Sequence, residues 1–157
     1  NRFLPIGLAL MVLIPLVLFA RIPLHGMLGK YEKLNVPYEA ALAQILASEP
    51  NRPSLVLASD QQIAGNIRLH APDIPVIIPG YEAFEKPFLF DATHPLLVVW
   101  RNRGRDTMPL PQDLSDWLTT HGGLSVSEPR SVALPYIFGK PGDLYHFAYA
   151  FIYPEVQ

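Results

Sequence analysis

An uncharged apolar run near the N-terminus constrains this chain more than any other feature. It comprises 18 residues, 3–20, and Arg2 and Arg21 flank it. As an α-helix it would be roughly 27 Å long, close to the hydrocarbon thickness of a bilayer. Pro5 and Pro15 would disturb a helix in water but are tolerated in a transmembrane helix. The run therefore favours a helix that crosses a membrane.

A signal peptide and a buried core helix are the two alternatives. A signal peptide would have a shorter apolar core and a small-x-small cleavage site, and the sequence LFARIPL offers neither. A core helix of this length without a polar face needs a larger protein around it. We therefore predict a transmembrane helix over residues 1–22, with the lipid bilayer as a partner.

The charges around the apolar run bear on its orientation. Arg21, Lys30 and Lys33 follow it, whereas only Arg2 precedes it. Taken alone, this asymmetry places the following segment in the cytoplasm. Because the sequence starts at Asn1 rather than methionine, we expect it to be part of a longer chain, and one helix then does not set the topology.

The remaining composition excludes several classes of protein. Half of the residues are hydrophobic, only 17% are charged, and the mean hydropathy is +0.19. The net charge of −2 gives no basic patch or stripe, so we expect no nucleic-acid partner. There is no cysteine, which leaves neither a disulfide framework nor a thiolate metal site.

The residues after a predicted connector, 23–35, have the pattern of a soluble α/β domain, 36–157. Asn35 is predicted to cap a first helix with an apolar stripe, which Ser48–Pro50 ends. Solid apolar runs at 55–57 and 95–100 predict strands buried on both faces, and residues 74–78 are predicted to form a second short strand between them.

Helices separate these strands, and the chain ends in a predicted hairpin. One helix follows Asp60, a natural N-cap, and another spans 109–121. The segments 124–138 and 144–153 flank a Gly-Lys-Pro-Gly turn, which favours an antiparallel hairpin. The predicted fold is therefore α/β: a small three-layer sandwich with a mainly parallel sheet, a C-terminal antiparallel hairpin and one preceding transmembrane helix.

Two groups of polar residues are candidate ligand contacts. Ser59, Asp60 and Gln61 follow the first strand, where ligands bind in open α/β sheets, although helix capping also explains them. Arg101 and Arg103, with Arg105 beyond, follow the third strand and could bind a phosphate or an anionic lipid headgroup. A solvated loop is the alternative for the arginines.

Other searches for chemistry yield weaker candidates. No dinucleotide fingerprint, phosphate loop or nucleophile elbow occurs, and the five histidines do not fall at helical metal-ligand spacing. Asp113 and Asp116 share a helix face, which the helix dipole explains better than acid–base chemistry. Alternating aromatics from Tyr145 to Tyr153 favour a packed sheet face over a sugar-stacking platform. No catalytic residue, metal or cofactor is predicted.

The arrangement resembles the C-terminal region of a bacterial family 39 glycosyltransferase. A last transmembrane helix and connector precede LVLASDQQIAGNIRLHAPDIPVI and then PLLVVWRNRG. The resemblance rests on the Ala58-Ser59-Asp60 turn, the Ala64-Gly65 pair and the proline-bounded strand after them. Relatives of that family include protein mannosyltransferases and the aminoarabinose transferase that modifies lipid A.

The resemblance implies a multi-spanning GT-C membrane enzyme that transfers a sugar from a polyprenyl-phosphate donor to a periplasmic acceptor. It implies partners in the rest of that membrane domain, with the lipid-linked sugar or the acceptor as further candidates. The soluble domain would face the periplasm from the bacterial inner membrane. The catalytic acidic loop of such enzymes has no matching position here, so the expected role is an accessory one. A single-pass anchored module that binds a small anionic ligand is the alternative, whereas a small α/β hydrolase lacks its nucleophile elbow.

Overall fold

The computed structural model describes residues 3–81, 87–103, 107–122, 124, 126 and 128–154. This part of the chain contains four α-helices, one 3₁₀ turn and five strands. Their bounds are α1 Phe3–Met27, a 3₁₀ turn Lys33–Asn35, α2 Tyr38–Ala47, β1 Leu55–Ala58, α3 Gln61–His70, β2 Val76–Ile77, β3 Leu96–Arg101, α4 Gln112–Thr120, β4 Arg130–Pro135 and β5 Leu144–Ile152. The chain divides into two compact units: 1–37 with 135–145, and 38–134 with 146–157.

The five strands form one mixed sheet in the order β2-β1-β3-β5-β4. β1 runs parallel to both β2 and β3, with Val56 opposite Val76 and opposite Leu97. β5 is antiparallel to β3, with Val98 opposite Ala150. The parallel part places the carboxyl ends of β1 and β3 side by side, which is where the candidate site lies.

Alternation along the strands explains the layers of the larger unit. One face of the sheet, which includes Leu57 and Val98, packs with Leu114, Trp117 and Leu118 of α4 in a single apolar core. On β5 the alternate residue Phe147 meets the ring of Tyr38 from α2 edge-to-face at 5.6 Å. Helices therefore cover both faces, and the predicted α/β sandwich is confirmed.

The N-terminal helix has the length and composition of a membrane span. The most apolar 18 residues within its segment Pro5–Met27 have a mean hydropathy of 2.3, and none of them is buried within the protein. An unburied apolar helix of 23 residues is long enough to cross the hydrocarbon core. The helix continues to Met27, so the first part of the predicted connector is helical.

Asn35 does not cap α2, which corrects the sequence prediction. It ends the 3₁₀ turn and is fully buried. Its side chain accepts a hydrogen bond from the Glu32 amide at 3.0 Å and donates to the carbonyls of Ile22 and Ile137, at 3.2 and 3.0 Å. Ile22 and Ile137 lie 13 and 102 residues from Asn35, so no local sequence pattern reveals these hydrogen bonds. Helix capping, in contrast, is predicted from neighbouring residues.

Several elements are shorter than predicted. β2 comprises only Val76–Ile77, α4 begins at Gln112 rather than Pro109, and β4 is restricted to Arg130–Pro135. Proline accounts for part of this, because it cannot donate a backbone hydrogen bond and so interrupts both helices and ladders. Pro111, for example, stands at the N-cap position of α4 without a side-chain cap.

Candidate functional site

Asp60 joins the first strand to the helix after it. Its backbone is extended, and one carboxylate oxygen accepts hydrogen bonds from the amides of Gln62 and Ile63, at 2.8 and 2.9 Å. These are two of the amides that a helix N-terminus leaves without intrahelical partners. The capping interpretation of Asp60 is therefore confirmed.

The second oxygen of the same carboxylate faces Arg101, at the end of β3. The Arg101 Nε donates to Asp60 at 3.0 Å, and one terminal nitrogen of its guanidinium donates to the Gln62 side chain at 2.6 Å. This pair is partly solvated, since the Arg101 side chain is 42% exposed and that of Asp60 is 34% exposed. The sheet thus unites two of the sequence candidates and adds Gln62, which sequence reasoning missed.

A shallow pocket adjoins this cluster on the side of the arginine loop. It has a volume of about 180 Å³ and is lined by Arg101, Asn102, Arg103 and Pro109. The Asn102 amide donates to the carbonyl of His146 at 3.1 Å, which fixes the start of the loop against β5. Arginine binds anions such as a phosphate or a carboxylate well, and two arginines line this pocket, although the Arg101 guanidinium also pairs with Asp60 and Gln62. Arg105, the third predicted arginine, lies outside the described residues.

Ser59 and Gln61 are oriented differently from the arginines. The Ser59 amide donates to the carbonyl of Val99 at 3.0 Å and so extends the pairing of β1 with β3. The Gln61 side chain donates to the Tyr81 hydroxyl at 2.6 Å. Gln61 and Tyr81 border another pocket, of about 200 Å³, between α3 and the end of β2. Of the five candidates, Arg101 and Arg103 line the first pocket and Gln61 lines the second, so they do not form one site. Ser59 and Asp60 line neither of these two pockets.

The carboxylates with perturbed pKa values lie elsewhere in the fold. Hydrogen bonds from Thr93, with a further contribution from His94, lower the pKa of Asp91 to about 2. The Arg130 guanidinium lowers the pKa of Glu49. Both carboxylates are held in their charged form, as in structural ion pairs, whereas a general acid at neutral pH needs a raised value.

Neither the histidines nor the helical aspartates form a site within the described part of the chain. No group of three or more histidine, aspartate or glutamate side chains there could hold a metal ion. His94 pairs with Asp91 at 2.9 Å, and the His121 ring stacks on Trp117. Asp116 accepts a hydrogen bond from Gln112 within α4, at 2.8 Å.

The aromatic row of β5 forms a packed sheet face. Phe147 and Tyr149 are buried, at 2% and 6% exposure, so they offer no open stacking surface to a sugar. The Arg130 guanidinium lies 5.8 Å from the centre of the Tyr149 ring and also pairs with Glu49. The packing interpretation of this row is confirmed for these residues.

Comparison with characterised proteins relates the chain to glycosyltransferases. It is 37% identical over its whole length to the lipopolysaccharide core galacturonosyltransferase RgtA of Rhizobium johnstonii, and covers 32% of that protein. It is 32% identical, over 97% of its length, to the lipopolysaccharide core galacturonosyltransferase RgtB of the same organism, and covers 30% of that protein. No protein-family model matches the sequence, and no solved structure does.

The similarity covers only one region of each relative. The chain spans about a third of the length of the two relatives, and its own full length takes part in the alignment with RgtA. It is therefore homologous to one region of glycosyltransferases.

Proposed function

We propose that this chain is the last transmembrane helix and an extracytoplasmic accessory domain of an integral-membrane glycosyltransferase. The similarity to two galacturonosyltransferases along almost the entire chain is the observation that carries the proposal. The unburied apolar helix α1 supports a membrane location. In this proposal the enzyme belongs to the GT-C type, family 39, and its soluble domain faces the periplasm from the inner membrane.

The proposed reaction moves a sugar from a polyprenyl-phosphate donor to a periplasmic acceptor. The names of the relatives suggest galacturonic acid as the sugar and the core of lipopolysaccharide as the acceptor. Donor and acceptor would then both carry negative charge, as phosphate or carboxylate. The arginine pocket at the end of β3 has the complementary charge, and the domain would position a substrate rather than catalyse transfer.

Measurement of sugar transfer in membranes tests whether this domain positions a substrate while another part of the enzyme catalyses transfer. We expect a longer protein that contains this chain to add hexuronic acid to lipopolysaccharide core, detected by mass spectrometry of the product. In this proposal the 157-residue chain alone should be inactive, because the catalytic acidic loop of such enzymes has no matching position in it. Transfer by the isolated chain would refute the accessory role.

Point variants in that longer protein test the arginine pocket without removing the domain. Arg103→Ala should lower the transfer rate, because Arg103 lines the pocket. Arg52→Ala is the matched control, since Arg52 is an exposed arginine whose described partner is Asp73, at 2.7 Å. Equal rates for the two variants and the unmodified protein would remove the pocket from the proposal.

A membrane-anchored binding module for a small anionic ligand is the second candidate. The observation that favours it is the pocket lined by Arg101 and Arg103, next to the pair that Arg101 forms with Asp60. In this case the isolated chain should bind galacturonate or inorganic phosphate by calorimetry, and Arg103→Ala should abolish the binding.

A further inference from the structure

Five large apolar side chains are exposed in the smaller unit, outside the membrane helix itself. Leu144, at the start of β5, is 42% exposed; the other four are Leu28, Leu34, Ile137 and Phe138, with exposures of 61%, 63%, 42% and 56%. Leu28 follows α1, Leu34 lies in the 3₁₀ turn, and Ile137 and Phe138 lie in the turn between β4 and β5. We call the set of these last four residues the collar. In water such side chains would be unfavourably solvated.

Buried hydrogen bonds hold the three collar segments together. The Asn35 side chain donates to the carbonyls of Ile22 and Ile137, and the Ile137 amide donates back to the Asn35 carbonyl at 2.8 Å. Asn35 is fully buried, so these bonds are shielded from competing water. The β4–β5 turn is therefore fixed to the last turns of α1.

A close backbone contact brings the same turn against the end of the helix. A Cβ atom on Gly26 would lie only 2.6 Å from the carbonyl oxygen of Phe138. Only glycine permits this approach. The uncharged run of α1 ends at Arg21, so if α1 spans the bilayer its last turn follows a charged residue that belongs at the membrane surface. The turn that contacts Gly26 then lies at the same depth.

The backbone of Phe138 is strained, and burial of its side chain does not offset this strain. Its φ is +58°, in the left-handed region that glycine and asparagine adopt easily and bulky residues rarely do. A buried ring would offset such strain, yet the Phe138 side chain is more than half exposed. Strain of this kind persists where the conformation serves a function, and here it presents an aromatic ring outward.

Cations and tyrosines accompany the collar. Lys30, Lys33 and Lys140 are exposed, and none forms a salt bridge with another residue that the structure describes. Tyr31 and Tyr136 stack at 3.8 Å between ring centres. Aromatic rings with polar tips and free lysines next to apolar side chains are the composition of a membrane–water interface.

We propose that the collar lies in the membrane interface, with its four apolar side chains among the acyl chains and the three lysines at anionic phospholipid headgroups. Continuity with α1 and the positive charge favour lipid over a protein partner as the occupant. The proposal requires α1 to span the bilayer but does not depend on any glycosyltransferase activity. It makes the β4–β5 turn a second membrane contact of the domain.

Single cysteines offer a direct test, because the chain contains none. A bimane label at Leu34 or Phe138 of the full chain would be placed in nanodiscs of phosphatidylcholine and phosphatidylglycerol with brominated acyl chains. We expect both labels to be quenched by bromine and to become protected from aqueous iodide. A label at Met11, within α1, reports independently that the helix has inserted.

Leu69 on α3 provides the matched control, since it is an equally exposed leucine in the other unit. Bromine quenching at Leu69 as strong as at the collar would indicate nonspecific adsorption and overturn the proposal. Protection from iodide without bromine quenching would show that protein covers the collar, which also overturns it. Bromine quenching of the label at Met11 without quenching of the labels at Leu34 and Phe138 would also overturn the proposal.

Two variants separate lipid contact from a purely structural role. Phe138→Asn keeps a residue that tolerates positive φ but removes the apolar ring. It should leave thermal stability unchanged or raised, while the bromine quenching of a label at Leu34 decreases. Replacing Lys30, Lys33 and Lys140 with glutamine should abolish any increase in collar quenching caused by phosphatidylglycerol over phosphatidylcholine alone. Unchanged quenching in both variants would contradict the proposal.

Discussion

Each of the two compact units is stabilised internally, and the kind of interaction that stabilises it differs between them. In the larger unit the fully buried side chains are those of apolar strands and helix faces, such as Leu97 and Leu118. In the smaller unit a fully buried asparagine, Asn35, joins three segments, while large apolar residues face outward. If the apolar surface of the smaller unit faces lipid, as proposed above, burying it in protein would gain little, and directional hydrogen bonds would determine its structure instead.

Removal of a core side chain should have the largest effect, confined to the larger unit. Leu97 lies in the central strand and is fully buried. Leu97→Ala should lower the free energy of unfolding by about 2–5 kcal/mol, through lost burial and the cavity left behind. Chemical denaturation in detergent would measure this change. Leu69→Ala, at an exposed site, should change it by less than about 0.5 kcal/mol. Equal effects of the two variants would contradict the packing described for the sheet.

Loss of the buried asparagine should come next and should affect the smaller unit. Asn35→Ala leaves the carbonyls of Ile22 and Ile137 and the amide of Glu32 without this partner. We expect a destabilisation of about 1–3 kcal/mol, because unsatisfied buried polar groups retain their desolvation cost. Hydrogen exchange should accelerate in residues 22–37 and 135–145.

The matched control is Asn51→Ala, because Asn51 is a partly exposed residue whose described side-chain partners, the Ala92 carbonyl and Tyr153, both lie in the larger unit. Exchange in the smaller unit should not respond to it. Uniform acceleration over the whole chain in Asn35→Ala would show that the two units do not differ in the way described above.

Loss of the α3 cap should have a moderate effect on the larger unit. Asp60→Ala should cost about 1 kcal/mol, because two helix amides lose their acceptor. Asp60→Asn retains a capping oxygen and should recover most of this stability, while the pairing with Arg101 is weakened. Thermal denaturation of both variants would separate capping from ion pairing. If the asparagine variant were as unstable as the alanine variant, the ion pair would be the main contribution.

The smallest expected effect is a pH dependence from the Glu49–Arg130 pair. The hydrogen bond from Arg130 lowers the pKa of Glu49 below its ordinary value of 4.5. The stabilisation is therefore complete above that ordinary value and is lost as the pH falls through the lower, folded-state pKa. Since the Arg130 side chain is 43% exposed, it amounts to less than about 1 kcal/mol. Unfolding measured between neutral and acidic pH should show this component in the unmodified chain but not in Glu49→Gln. Parallel curves would refute it.

Local patterns predicted a large part of the fold. The apolar run at Leu55–Leu57, the cap at Asp60 and the apolar run before Arg101 depend on neighbouring residues, and each lies in the expected element. The boundaries of β2, β4 and α4 were less accurate, because proline and strand pairing decide where an element ends. The candidate site was predicted only as separate residues, since the sequence does not reveal which strands are adjacent.

By itself, the sequence determined the elements that short-range chemistry specifies: an apolar helix long enough for a bilayer, strands buried on both faces and a capped helix. Only the tertiary structure decided the roles of residues whose partners are distant in the chain. Asn35 is a buried residue that connects separate segments rather than a helix cap, and Arg101 pairs with Asp60 rather than lying in a solvated loop. Hydrogen bonds between segments separated by 41 and 102 residues depend on the folding of the chain, and no local pattern encodes them.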